Sequence, residues 1–227
     1  MTTNGRTGAA AVVIAILLAA AAPPAAAAEA PPAEGPGWSS LGGRGVGEGR
    51  HALAVELGFP GASLTYLRGV NPTVDLAVMA AGNYAYEGVL STLVPGGHAE
   101  ICLRFKLMEA GPLTLGLRGG AGFFGYFPLA TFVPGLTLPV GVTASLPVNG
   151  SLAAAFGVDV PMWITFGTAG GFTAPVLVNA GVEYFLDKAW SATFRARLGP
   201  AFNPTGFRFG TPSALTLNLY AGMAFRL

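Results

Sequence analysis

The sequence predicts an all-β protein, a transmembrane antiparallel up-and-down β-barrel of ten strands, with eight as the alternative count. Three observations lead there. First, 52% of the 227 residues are hydrophobic and only 10% are charged, with a mean hydropathy of +0.56. A water-facing domain of this size carries about 25% charged residues. Second, beyond residue 30 there is no run of about 20 apolar residues of the kind a membrane helix needs. Third, apolar residues recur at every second position through most of the chain, which is the side-chain period of a strand with two unlike faces.

The composition also excludes function classes. A formal net charge of +1 leaves no basic surface for nucleic acid, so no nucleic-acid partner is expected. High hydrophobicity with low charge is the reverse of a disordered chain.

Residues 1–28 read as a secretory signal peptide: Arg6 in a short polar start, an apolar core over 9–22, and small residues 25–28 with cleavage after Ala28. Residues 29–48 are rich in Ala, Pro and Gly and read as a flexible leader. The barrel is expected over 49–227. Cys102 is the single cysteine; it cannot close a disulfide within the chain and reads as a small packed side chain.

Ten segments carry the alternation: 52–59, 63–68, 74–86, 98–108, 113–126, 136–146, 152–164, 176–186, 190–198 and 215–227. In the fourth, His98, Glu100, Cys102, Arg104 and Lys106 oppose Ala99, Ile101, Leu103, Phe105 and Leu107. Segment 63–68 fits the alternation least well. Most approach the 9–11 residues with which a tilted strand crosses a bilayer.

The character of the two faces decides what each meets. A barrel in water turns long polar side chains outward. Here the less apolar face is mostly Gly, Ala, Ser and Thr, which suit a narrow interior, while the Leu, Val, Phe and Ile face suits lipid. Five acids (Glu56, Asp75, Glu100, Asp159, Glu183) and six bases (Arg104, Lys106, Arg118, Arg195, Arg197, Arg226) share the small-residue face. An arginine or lysine on the lipid face near midplane would cost about 2–4 kcal/mol. The interior charges, Arg226 at the chain end apart, are expected to pair into a network that fills the lumen, because buried ions left unpaired are costly.

Connections alternate in length. Short turns fall at 68–72, 109–112, 147–150 and 187–188; longer loops at 87–97, 127–134, 165–173 and 203–212. The Pro60–Gly61 corner is short where a long loop belongs. Short turns face the periplasm in barrels of this kind, and long loops face outside. Aromatic girdles are expected from Tyr184, Trp190 and Phe225 at one end and from Phe59, Tyr84, Tyr86 and Phe123 at the other.

The last strand carries the most specific motif. Tyr220, Gly222, Phe225 and Leu227 resemble the C-terminal β-signal of bacterial outer-membrane barrels, with Leu227 where many members end in Phe or Trp. The turn and strand Phe185-Leu-Asp-Lys-Ala-Trp190-Ser is similar to those of small members. On these residues the chain resembles the small outer-membrane β-barrel proteins of the OmpA-membrane-domain and OmpW-like superfamily. The resemblance implies an address in the outer membrane of a Gram-negative bacterium. It implies as partners the outer-membrane lipid and, during insertion, the barrel-assembly machinery, with a monomeric product.

Catalytic residues are scarce. His51 and His98 are the only histidines and have no metal-ligand spacing; there is no Gly-x-Ser-x-Gly; and the glycines of 119–122 lie inside a strand, where phosphate cradles do not occur. No enzyme activity, cofactor or metal is expected. The expected role is structural or surface-interacting. The alternatives are a narrow channel or a carrier for small or hydrophobic solutes, for which the nearly uncharged loops 89–94, 127–132 and 165–172 speak. A membrane-embedded lipid-modifying enzyme ranks below both.

Overall fold

The computed structural model describes residues 37–86, 89, 93–128, 131–167, 170–202 and 213–227; the signal-peptide reading and the loop 203–212 lie outside these residues. Eleven strands follow in chain order: β1 (His51–Phe59), β2 (Gly61–Asn71), β3 (Val74–Asn83), β4 (Gly96–Ala110), β5 (Leu113–Tyr126), β6 (Val133–Pro147), β7 (Leu152–Thr165), β8 (Gly171–Pro175), β9 (Leu177–Phe185), β10 (Trp190–Phe202) and β11 (Ser213–Arg226). Ten of them form a closed antiparallel ring, each paired with its neighbour, and β11 closes on β1 in the register Ala52↔Arg226 to Phe59↔Leu219. The five-residue β8 pairs with the same neighbours as β9, namely β7 and β10. The two are separated only at Val176, whose N–H is taken by the Pro200 carbonyl at 2.9 Å.

Parity of burial follows the sequence. On β1, Leu53 and Val55 are exposed on the outward face, while Ala52, Ala54 and Glu56 are buried on the inward face. The outward face of β4 carries Ile101 and Leu103; its inward face carries Glu100 and Cys102. Short connections join β2–β3, β4–β5, β6–β7 and β9–β10 at one end of the barrel. The Pro60 corner aside, the longer connections lie at the other end. That corner joins two full strands, so the ring has ten members.

β2 is the strand whose alternation is weakest in the sequence, and the structure gives the reason. Its inward positions are Ser63, Thr65 and Leu67, and Leu67 is an apolar side chain buried to 1% exposure inside the ring. The partner of Leu67 is not another strand but the chain preceding β1. Trp38 and Val46 join Leu67, Phe185 and a wall of alanines (Ala52, Ala54, Ala77, Ala224) in one buried cluster. The expected flexible leader 29–48 is therefore corrected for its second half: from Trp38 the segment is packed within the barrel at the short-turn end. Composition missed this because two anchors, Trp38 and Val46, suffice to dock a short segment whose glycines let its backbone come close.

Candidate functional site: the barrel interior

Residues 38–48 fill the short-turn end. Trp38 stands edge-on to Phe185 with ring centroids 5.6 Å apart, and its Nε1 donates to the Lys188 carbonyl at 3.1 Å. Close approach is possible because the segment turns glycines to the wall. A Cβ at Gly43 would lie 2.6 Å from the Gly116 backbone nitrogen, and one at Gly42 would lie 2.5 Å from Ser145 Cβ. At its far end the segment returns to the rim, where Glu48 bridges to Gly69 of β2.

Three of the predicted lumen charges hold this segment instead of one another. Glu183, 2% exposed on β9, accepts from Ser39 Oγ at 2.6 Å, from Ser40 N–H at 3.0 Å, from Ser40 Oγ at 2.7 Å and from Ser191 Oγ at 3.0 Å. Asp75 on β3 accepts from the Val46 N–H at 3.1 Å. Arg104 on β4 donates to the carbonyls of Ser40, Ser39 and Gly42 at 3.1, 3.2 and 2.6 Å. A short segment without a strand ladder leaves many backbone groups to satisfy inside the barrel, and wall charges satisfy them.

Deeper in, the remaining charges meet across the lumen. Arg195 pairs with Glu56 at 2.5 Å, and Ser63 Oγ adds a hydrogen bond to the same carboxylate. Asp159 lies between Arg118 at 3.2 Å and Arg197 at 3.8 Å and also accepts from Asn179 Nδ2 at 3.0 Å. Glu100 accepts from Thr137 Oγ1 at 3.0 Å. Three arginines and three carboxylates in a narrow space balance each other's desolvation. Lys106 departs from the expectation. Its ammonium lies 3.2 Å from Glu109, just past the register shift between Lys106 and Met108, and pairs with that residue and not with a deeper carboxylate, although Lys106 still borders the cavity. Arg226 is at the rim, over the Trp38 ring at 5.5 Å.

Aromatic residues cluster at the long-loop end. Tyr86, Val89, Val94, Phe124, Tyr126 and Trp163 form a second buried cluster. Tyr86 contacts Tyr126 at 4.8 Å and Trp163 at 5.4 Å, and Asn83 Nδ2 donates to Tyr126 Oη at 2.8 Å. Val89, in the β3–β4 connection, bridges to Thr216 of β11. Here a second expectation is corrected: Tyr86 belongs to this interior cluster and not to an outward girdle. β3 ends at Asn83, and past it the chain turns, so the period of two no longer assigns faces. The other predicted girdle residues lie outward or at the rims. Tyr84, Phe123, Tyr184 and Trp190 are exposed, Phe59 stands against Tyr84 at 5.6 Å, and Phe225 stacks on Trp190 at 4.4 Å. In the C-terminal motif, Tyr220 points inward under Arg195, whose guanidinium is 5.3 Å from the ring centroid, and Leu227 is exposed at the chain end.

Between segment and wall remains a cavity of about 110 Å³, bordered by Gly42, Gly43, Cys102, Arg104, Arg118 and Arg195 among others. A second, of about 30 Å³, lies beyond it beside His98, Trp163 and Arg197. Spaces of this size hold a few waters. Among the described residues no group of three or more His, Cys, Asp or Glu side chains could hold a metal ion. Sequence reasoning found the wall charges and missed their partners Trp38, Ser39, Ser40 and Val46. The available signal was a tryptophan in a stretch otherwise poor in bulky residues, together with Leu67 and Phe185, apolar residues on the polar parity.

Fold and interior together define the class: a closed ten-stranded antiparallel β-barrel. No protein-family model matches the chain, and neither does any curated protein. Among solved structures it is similar to the N-terminal β-barrel domain of Pseudomonas aeruginosa OprF, with a TM-score of 0.41 and 9% identity, over 80% of this chain and 99% of that one.

Proposed function

We propose that the protein is an outer-membrane β-barrel with a closed, charge-paired lumen, acting as a structural or surface-interaction protein and not as an open pore or an enzyme. The observation that carries this reading is the double closure of the lumen, by residues 38–48 at one end and by the Tyr86–Trp163 cluster at the other. The outward face supports the membrane address. Large apolar side chains such as Leu57, Ile101, Phe123 and Val178 lie exposed on strand after strand, an arrangement that water does not favour. The C-terminal resemblance described above supports export to the outer membrane of a Gram-negative bacterium.

The test has two parts. Outer-membrane fractions should contain the protein as a band whose gel migration changes on heating, and the purified protein should give no steady conductance in a planar bilayer. Recovery as a soluble periplasmic protein, or a reproducible open channel, defeats the proposal. Ile101→Arg sharpens it: in lipid vesicles the change should lower unfolding stability by about 2–4 kcal/mol, whereas a water-facing position would be nearly indifferent.

A hydrophobic-ligand carrier is the second reading, favoured by exposed Leu93, Phe127 and Phe132 at the long-loop end. Saturable quenching of Trp163 fluorescence by alkyl detergents would support it; its absence would remove it.

A further inference from the structure

We propose, building on the closed-lumen reading, that the short-turn mouth of the barrel is a peptide-binding site. Its ligand class is a bent, glycine-containing segment with an aromatic anchor followed by two serines, and residues 38–48 occupy it in cis. The wall presents the elements of a peptide receptor. Glu183 and Asp75 take N–H and hydroxyl donors, Arg104 takes the carbonyls of Ser39, Ser40 and Gly42, and a pocket beside Phe185 takes the indole. These contacts read main-chain groups and two small side chains, which another glycine-containing segment able to follow the same bent path presents equally well.

Segment and receptor are also separable. The ladders of the ten-stranded ring are made by residues 51–226, and residues 38–48 contribute to them only the isolated bridge Glu48↔Gly69. Withdrawing the segment leaves the ring's pairing whole and opens the 110 Å³ cavity to the short-turn side. Cys102, buried on the inward face of β4 and bordering that cavity, is a built-in reporter of the opening.

The experiment measures labelling of Cys102 in the folded, full-length protein by a methanethiosulfonate reagent carrying a trimethylammonium group. Gly43→Leu is the decisive variant, since any Cβ there meets the Gly116 backbone while the undocked state tolerates it. Its heat-dependent gel migration should persist, and its labelling rate should rise by roughly tenfold or more as local opening replaces the docked state. A synthetic peptide of residues 37–48 should then suppress labelling saturably, and the same peptide carrying Gly43→Leu should not. Trp38→Ala with Val46→Ser, which removes both buried anchors and alters no wall residue, should behave alike.

An unchanged labelling rate in a folded variant, or a raised rate that the peptide does not lower, overturns the proposal. Loss of heat-dependent migration in both variants also overturns it, because the segment is then integral to the barrel. Wild-type protein labelled as fast as the urea-unfolded chain would defeat instead the closed-lumen reading on which the site rests.

Discussion

The two ends of this barrel meet the same requirement with opposite chemistry. At the long-loop end, rings pack on rings: Tyr86, Phe124, Tyr126 and Trp163 come from the β3–β4 connection, β5 and β7, so the closure is part of the wall and of a loop tied to it at both ends. At the short-turn end, wall carboxylates and a guanidinium hold the backbone of a segment that joins the ladders only through the Glu48–Gly69 bridge, with Trp38 and Val46 as its apolar anchors. A closure built into strands cannot leave without unfolding them; a closure docked on strands can. The difference teaches that burial alone does not measure permanence, since Trp38 and Trp163 are 1% and 3% exposed and yet belong to these two regimes.

Substitutions separate the regimes, and the largest effect is expected at the built-in end. Trp163→Ala should cost about 3–5 kcal/mol in urea unfolding from lipid vesicles, the usual price of a large core cavity. Trp38→Ala should cost less, about 2 kcal/mol, because undocking the segment caps the loss. Equal costs at the two tryptophans would erase the contrast. Tyr126→Phe, which withdraws the acceptor of Asn83 Nδ2, should cost about 1 kcal/mol by the same measurement. Glu183→Gln is expected to be smallest, about 0.5 kcal/mol in global stability, since the amide oxygen can take the place of Oε1 and keep the Ser40 and Ser191 donors, with only the charge lost. It should nonetheless speed hydrogen exchange at the Ser40 amide severalfold, a local effect that no long-loop substitution should reproduce.

The barrel was readable in the sequence because a strand's period of two survives any tertiary context in which one face is buried and the other is not. Leu53, Val55 and Leu57 against Ala52, Ala54 and Glu56 carry that information within six residues. The closures were not readable because they depend on contacts far apart in the chain. Trp38 and Lys188 are separated by 150 positions, and nothing periodic marks a glycine-rich segment. Their traces were local violations of parity: Leu67 inward on β2 and Phe185 inward on β9. Tyr86 failed for a related reason, since alternation was extended past the last residue that a ladder holds.

The segment 38–48 meets the barrel rim twice, at Lys188 beside Trp38 and at Gly69 beside Glu48. It therefore goes in and comes out on the same side, dipping between the two contacts without crossing the ring. A chain that passed through would have to be in place before the first and last strands zipped together. One that only dips can wait: the ring can close first and the segment dock afterwards, with no threading step and no knot to undo.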